Sequence, residues 1–256
     1  MNNPRVLRSN AFSGSNVIVT GAGGGIGRTS ALEFAACGAN VICFDLHVEA
    51  LQETLALIEE IDGIGVAVAG DVSSQEDVDA LIKAADGRID ALANVAEIMD
   101  GFVPIAELDD VTWERVLSVN LMGPMRMTRA VLPLMLNAKK GAIVNVSSEA
   151  GLHGSSGGSA YTSSKHALIG LTRSTAFFYG GSGVRTNAIC PAGVTTDLDA
   201  VPKSKFGYDL CSTSLGSATR FAEPEKLSSL ICWLASDAAM NINGAIMMSD
   251  GGWSVA

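Results

Sequence analysis

Tyr161 and Lys165 stand four positions apart at the start of a stretch with helical periodicity, so they share one helix face. An isolated tyrosine titrates at about 10 and is a poor base at neutral pH. An ammonium held beside it stabilises the phenolate and lowers that value, which makes the pair a workable proton shuttle. Ser148 ends a β-branched run just upstream, where its hydroxyl can fix a substrate oxygen beside the tyrosine. A Tyr-x-x-x-Lys pair alone means little. Its place after a serine-ended strand gives it weight.

A second chemical feature lies near the N-terminus. The run Asn16–Thr20 passes straight into Gly21-Ala22-Gly23-Gly24-Gly25-Ile26-Gly27, and a helical pattern begins at once. Glycines let the backbone turn tightly and approach a pyrophosphate, while the helix start supplies oriented N–H groups. The spacing is G-x-x-x-G-x-G over Gly21, Gly25 and Gly27. The next strand ends in Asp45, followed by Leu46. A carboxylate there accepts from adenosine ribose hydroxyls and repels a 2′-phosphate. Position 24 carries no basic side chain, so the loop favours NAD over NADP. After the third strand, Asp71 and Val72 can meet the adenine ring by hydrogen bonding and packing. Asp71 is equally suited to cap the helix that follows.

These residues need a scaffold that brings strand ends together. Candidate strands are Asn16–Thr20, Asn40–Asp45, Gly65–Gly70, Ile89–Asn94, Ala142–Ser147, Val184–Cys190 and Ala245–Met248. Stretches of three-to-four periodicity lie between them, such as Thr29–Cys37, Val48–Ile61 and Val78–Ala85. Alternation of this kind implies right-handed βαβ crossovers and a parallel sheet covered by helices on both faces. Two segments escape the pattern: the small-residue loop Gly151–Ser159, and Asp197–Pro224, whose length and position suit a lid or binding loop.

Taken together, the chain resembles a short-chain dehydrogenase/reductase from Asn16 to Gly252. The resemblance rests on Thr20–Gly27, Asp71-Val72, Asn94-Val95-Ala96, Asn120, Val146-Ser147-Ser148, Tyr161-x-x-x-Lys165, Pro191–Thr196 and Asp250-Gly251-Gly252, all in order. It implies an α/β, Rossmann-like, doubly wound seven-stranded parallel sheet in a single domain over 1–256, with a short substrate lid at about 197–222. It implies a homotetramer or a dimer. By the same resemblance, Tyr161 donates or removes the proton, Lys165 binds the nicotinamide ribose and depresses the tyrosine pKa, and Ser148 orients the carbonyl. Asn120 would sit mid-helix and hold, through its backbone carbonyl, a water linked to Lys165. Gly21, Gly24, Gly25, Ile26, Gly27, Asp45, Leu46, Asp71, Val72, Asn94 and Ala96 would line the NAD site. Pro191, Val194 and Thr196 would clasp the carboxamide.

One departure stands out. Where the family reads Asn-Asn-Ala-Gly, this chain has Asn94-Val95-Ala96-Glu97. If the backbone there needs a glycine-only conformation, Glu97 costs about 1 kcal/mol or more. A carboxylate near the ribose can weaken NADH binding, or it can recognise a polar substrate group, or the fold can tolerate it. Ala192 in place of glycine after Pro191 is minor, since Gly193 follows.

Composition narrows the partners. A formal net charge of −10 disfavours nucleic acid and acidic membrane surfaces. Residues 1–12 hold no apolar stretch of signal-peptide length, and no run is long enough to span a bilayer. Cys37, Cys43, Cys190, Cys211 and Cys232 are scattered, as reduced cytoplasmic thiols are. Three separate histidines give no metal site: His153 faces the substrate mouth or solvent, His166 points off the catalytic face, and His47 flanks the adenosine site. Only 17% of residues are charged, which suits an oligomer, and Trp253 exposed at the C-terminus would suit a subunit contact. Met122, Met125 and Met127 read as packing.

The leading expectation is an NAD-linked enzyme interconverting a secondary alcohol and a ketone of partly apolar, ring-bearing type. Its pocket walls would be Leu152, His153, Phe206, Tyr208 and Leu210. A 3-oxoacyl carrier-protein reductase is the enzymatic alternative, opposed by Asp45 and by the net charge. A binding protein that kept the fold and lost turnover is the non-enzymatic one, supported by Glu97 alone.

Overall fold

The computed structural model describes residue 7 and residues 10–85, 87–195, 201–215 and 221–255. Seven parallel strands form one sheet: β1 (Asn16–Thr20), β2 (Asn40–Asp45), β3 (Ile64–Ala69), β4 (Ala91–Asn94), β5 (Gly141–Val146), β6 (Val184–Pro191) and β7 (Ile246–Ser249). Their order is β3-β2-β1-β4-β5-β6-β7. The expected strands are all present, β1 and β2 with the expected ends and the others with an end shifted by one or two residues. The chain runs outward from β1 in one direction, then crosses back to β4 and runs in the other. The order therefore reverses between β1 and β4, and a crevice opens outside the carboxyl ends of the strands at that point.

Helices cover both faces. They are α1 (Gly25–Ala36), α2 (Val48–Glu59), α3 (Gln75–Ala84), α4 (Asp110–Leu117), α5 (Gly123–Ala138), α6 (Ser159–Tyr179), α7 (Lys205–Leu215) and α8 (Pro224–Ala235). The central strands β4 and β5 are buried along their whole length, which is why they read as continuous apolar runs without alternation. The edge strand β3 instead leaves Ile64 and Val66 exposed. One core forms from Phe34, Val19, Val41 and Ile231 on the α1 and α8 side, and a second from Phe44, Leu81, Met127 and Ile143 on the other.

Local chemistry sets the helix starts. Ser74 Oγ accepts from Asp77 N at the head of α3, and Asp109 Oδ1 accepts from Thr112 N at 2.6 Å at the head of α4. The apolar spacing alone places α1 at Thr29 and α3 at Val78. Both begin earlier, α1 at Gly25 and α3 at Gln75, because the glycines of the one first turn and the polar residues of the other carry no apolar period. The segment 197–224 also departs from expectation. It holds the helix α7, whose mixed surface hid its period, since one side packs on loops while Phe206 and Leu210 stay exposed.

The turn after β1 is the tightest part of the scaffold. Gly21 has φ +68°, and a Cβ on it would lie 2.9 Å from the Ala96 backbone. A Cβ on Gly27 would lie 1.9 Å from Gly21 O. Glycine at 27 is therefore demanded by close approach, and the first turn of α1 folds directly onto the β1 turn. Gly27→Ala should destabilise the fold by about 1–3 kcal/mol, because the added methyl forces that turn open. Urea unfolding of the variant against the parent chain measures it.

Candidate active site

The side chains expected to do chemistry are brought to the carboxyl ends of β4 and β5 and to the first turns of α6. Ser148 follows β5, and its Oγ accepts from Ala150 N at 3.1 Å. Tyr161 and Lys165 share one face of α6, both buried, with the Lys165 ammonium 5.4 Å from the Tyr161 ring centre. Lys165 Nζ donates to Val146 O at 2.9 Å.

Glu97 completes the group, and sequence reasoning did not foresee where it points. One carboxylate oxygen, Oε2, forms an ion pair with Lys165 Nζ and accepts from the Tyr161 hydroxyl at 3.1 Å. Its backbone is not in the left-handed region, so glycine is not required at 97 and the feared strain is absent. Lys165 is not among the groups that act most strongly on the Tyr161 phenol in this structure. Burial pushes the phenol well above its ordinary value, and the Glu97 charge pushes it further, against a smaller opposing pull from the Ser148 hydroxyl. A carboxylate on the ammonium removes the field that would have favoured phenolate.

Asp100 is a second residue that sequence gave no sign of. It is fully buried, and its carboxylate accepts from Phe102 N, Gly158 N and Tyr161 N at 2.9–3.1 Å. It thus caps the start of α6 from a distant loop, where a negative charge suits the helix dipole. The same loop packs tightly elsewhere. Phe102 has φ +62°, uncommon for an aromatic residue, and stacks edge-on with Tyr208 of α7 at 5.4 Å.

Asn120 lies in a single π-helical turn, Ser118–Met122, between α4 and α5, and not in a regular helix as expected. Such turns leave backbone carbonyls out of the ordinary helical pattern. Its side chain is spent on structure: Oδ1 accepts from Ile98 N, while Nδ2 donates to Ile98 O and Ser164 Oγ. Asn94 is buried and donates to Asn145 Oδ1 at 2.8 Å, and Asn145 in turn donates to Thr172 Oγ1 of α6. That chain of amides locks β4, β5 and α6 together.

A cleft of about 290 Å³ opens at the topological switch point. Gly21, Gly24, Gly25, Ile26 and Gly27 form one wall, and Asp45, Leu46, Asp71 and Val72 form the far end. Ala96 and Glu97 lie toward the tyrosine. Thr20 Oγ1 accepts from Val95 N and Ala96 N, which draws the two walls together. Asp45 is held by Gly23 N at 2.9 Å and His47 N at 3.0 Å. Asp71 accepts from Ser73 N and pairs with Arg115 at 3.0 Å, and these partners hold its carboxyl below the usual range against the upward push of burial. Pro191 ends β6, and Val194 bridges to Ala222. Thr196 lies outside the described residues.

The other expected walls divide. His153 pairs with the buried Glu149 at 2.5 Å, so it is tied to the residue after Ser148. Burial raises the Glu149 pKa, with His153 opposing. Phe206 and Leu210 line a separate cavity with Phe102, Trp113 and Cys211, one whose lining includes neither Ser148 nor Tyr161. Trp253, expected on the surface, is buried and donates through Nε1 to Ser214 O, because the C-terminal turn folds back onto the end of α7. His166 is exposed and faces Thr162 O, off the catalytic face as expected.

A glycine-walled crevice at a switch point, with a Tyr-Lys pair joined to its lining through Glu97, is the architecture of a doubly wound nucleotide-binding fold. The chain belongs to the short-chain dehydrogenase family, whose model matches residues 15–205. It is 39% identical over 253 residues to 3beta-hydroxysteroid dehydrogenase 2 of Eggerthella lenta, covering 95% of this chain and 96% of that protein. It is 34% identical over 248 residues to 2,5-dichloro-2,5-cyclohexadiene-1,4-diol dehydrogenase of Sphingobium indicum, covering 95% and 98%. A Beutenbergia cavernae crystal structure holding NADP at low occupancy superposes with TM-score 0.87 at 32% identity, covering 97% and 100%. The activity class is therefore that of an alcohol-dehydrogenase-type oxidoreductase.

Two outcomes follow from this geometry. Asp100→Ala strands three backbone N–H groups at the head of α6 and should cost about 3 kcal/mol or more in urea unfolding, whereas Asp100→Asn recovers part of the loss. Tyr161 binds its proton more tightly folded than unfolded, so stability falls as pH rises above about 10. That fall should shrink in Tyr161→Phe.

Proposed function

We propose that this chain is an NAD(H)-linked oxidoreductase interconverting a ring-bearing secondary alcohol and its ketone. The observation that carries the reading is the contact of Tyr161 and Lys165 with Glu97, a residue that lines the glycine-walled cleft. The cleft fits the nucleotide. A side chain at Gly21 would collide with Ala96, whereas a Cβ at Gly24 meets open space, so the wall is bare backbone where a pyrophosphate must approach. Asp45 and Leu46 would hold the adenosine ribose, and Asp71 and Val72 would flank the adenine. Asn94 and Ala96 would support the nicotinamide end with Pro191, Val194 and Thr196.

Asp45 supports NAD over NADP. Its carboxylate is fixed by two backbone N–H groups at the ribose end, where a 2′-phosphate would meet a negative charge. The nearby Arg28 is committed to Glu53 and to Gly23 O, so it is not offered to a phosphate. The NADP in the Beutenbergia cavernae protein is that protein's property.

When bound, the nicotinamide accepts or supplies the hydride. The chain's own residues do the rest. Ser148 orients the substrate oxygen, Tyr161 gives or takes its proton, and Lys165 holds the ribose and the local charge. Asn120 fixes the loop that carries Glu97 through its bonds to Ile98. The helix α7, held to the loops at 101 and 157, would serve as the lid of a single domain. The hydroxysteroid and ring-diol relatives support a rigid alicyclic alcohol as substrate. Exposed Phe177 and Phe178 on α6 support self-association as a dimer or homotetramer, and five free buried cysteines support a cytoplasmic setting.

Fluorescence titration with NADH and NADPH, followed by assay of 3-hydroxysteroids with NAD+, tests this reading. NADH should bind at least tenfold more tightly than NADPH, a difference of about 1.4 kcal/mol. Hydroxysteroid oxidation should appear and should vanish in Tyr161→Phe. Equal binding of the two nucleotides removes the Asp45 argument, and no turnover on any alicyclic alcohol removes the substrate class.

A further inference from the structure

The Glu97 carboxylate has no task in the scheme above, yet it touches the two most important side chains of the site. Its Oε2 pairs with Lys165 Nζ and accepts from the Tyr161 hydroxyl at 3.1 Å. The Glu97 side chain is 16% exposed and lines the cleft, whereas Lys165 is 1% exposed. The carboxylate therefore reaches the buried pair, while part of the side chain stays open to the cleft.

We propose that Glu97 is the proton acceptor for Tyr161, so that the proton removed from the alcohol leaves the site through the Glu97 carboxylate. This rests on the oxidoreductase reading. In oxidation the substrate O–H breaks and its proton passes to Tyr161 Oη. At the same time the Tyr161 O–H breaks and its proton passes to Glu97 Oε2. The electrons of the substrate C–H bond leave as hydride to NAD+, so the alcohol is oxidised to the ketone and NAD+ is reduced to NADH. Glu97 finishes as a carboxylic acid and passes its proton on by way of the cleft that its side chain lines. Reduction runs the same path backwards.

Three features favour this path. Burial and the neighbouring charge keep Tyr161 protonated, so a resting phenolate is not the base. A neutral tyrosine can still pass protons if a second base takes its own proton in the same step, and the 3.1 Å contact is within the reach that requires. The Asn120 amide is committed to Ile98 and Ser164 and takes no proton itself, whereas the Glu97 carboxylate is a titratable group that meets the Tyr161 hydroxyl directly. The charged groups facing Tyr161 are Glu97, Lys165 and Asp100, and Asp100 is spent on three backbone N–H groups.

Glu97→Gln separates this path from a phenolate mechanism because the two predict opposite signs. Glutamine keeps the size but removes the charge, and its amide oxygen is too weak a base to take the proton. If Glu97 only suppresses the phenolate, the variant turns over faster at neutral pH. If Glu97 carries the proton, kcat for oxidation falls by about 100-fold, while KM for NAD+ moves by less than about threefold. Formate should restore part of the activity of Glu97→Ala, which a merely structural role would not allow. A readout without turnover is the tyrosinate absorbance of cofactor-free protein, taken as the difference from Tyr161→Phe. In Glu97→Gln that signal should emerge at lower pH than in the parent. A Glu97→Gln enzyme as fast as the parent or faster overturns the relay alone, as does a tyrosinate signal that does not move. A parent chain that oxidises no alcohol with NAD+ overturns the oxidoreductase reading, and the relay with it.

Discussion

A buried ammonium is the constraint around which this site is arranged. Lys165 lies beneath the surface on α6, and removing such a charge from water costs several kcal/mol unless partners replace the lost solvation. Two partners do so. Val146 O, at the end of β5, accepts one N–H, and Glu97, three residues past the end of β4, supplies the counter-charge. The lysine therefore ties α6 to both central strands at once. Removing either partner would leave the charge partly unmatched, so the catalytic geometry and the fold's central seam are stabilised by the same contacts.

The loop that leaves β4 carries much of that burden. Between Val95 and Val103 it delivers Glu97 to the tyrosine and lysine, Asp100 to the head of α6, and Phe102 to the face of α7. Thr20 holds its start against β1, and Asn120 holds its middle from the π-turn. Lys203 N donates to Gly101 O, and a Cβ at Gly207 would strike Phe102 O. Glu97, Asp100 and contacts to α7 are thus carried on one short segment. Contacts of α7 and of the residues just before it reach Phe102 and Gly101, two and one residues from the capping aspartate.

Much of this architecture was legible in the residues. The seven strands, the glycine turn, Asp45 and the Tyr161–Lys165 pair depend on local pattern, and local pattern survives in sequence. Burial on both faces made β4 and β5 readable as apolar runs. Asp100 was not readable, because its three partners lie at 102, 158 and 161 and only the tertiary fold joins them. The helix α7 was hidden because its contacts are with two loops and not with the sheet, which blurs its apolar period. Trp253 misled for a related reason, since its burial depends on the end of α7. Glu97 was visible as an oddity, but its sign could not be read. A glycine position filled by glutamate suggests strain until the backbone proves ordinary.

The exchange of glycine for glutamate changes the resting electrostatics of the whole group. With glycine, a buried ammonium would face the phenol alone, and the favoured response would be a lowered tyrosine pKa. With Glu97 the ammonium is neutralised, and the phenol is hemmed in by Glu97 and Asp100, so the proton stays on oxygen. The cost is a weaker resting base. The gain is a donor–acceptor chain from Tyr161 to a partly exposed carboxylate, which serves both directions because each member can hold or release the proton. An arrangement of that kind depends less on stabilising a phenolate and more on geometry. That explains why three separate elements, the β4 loop, the end of β5 and the head of α6, converge on a single pair of side chains.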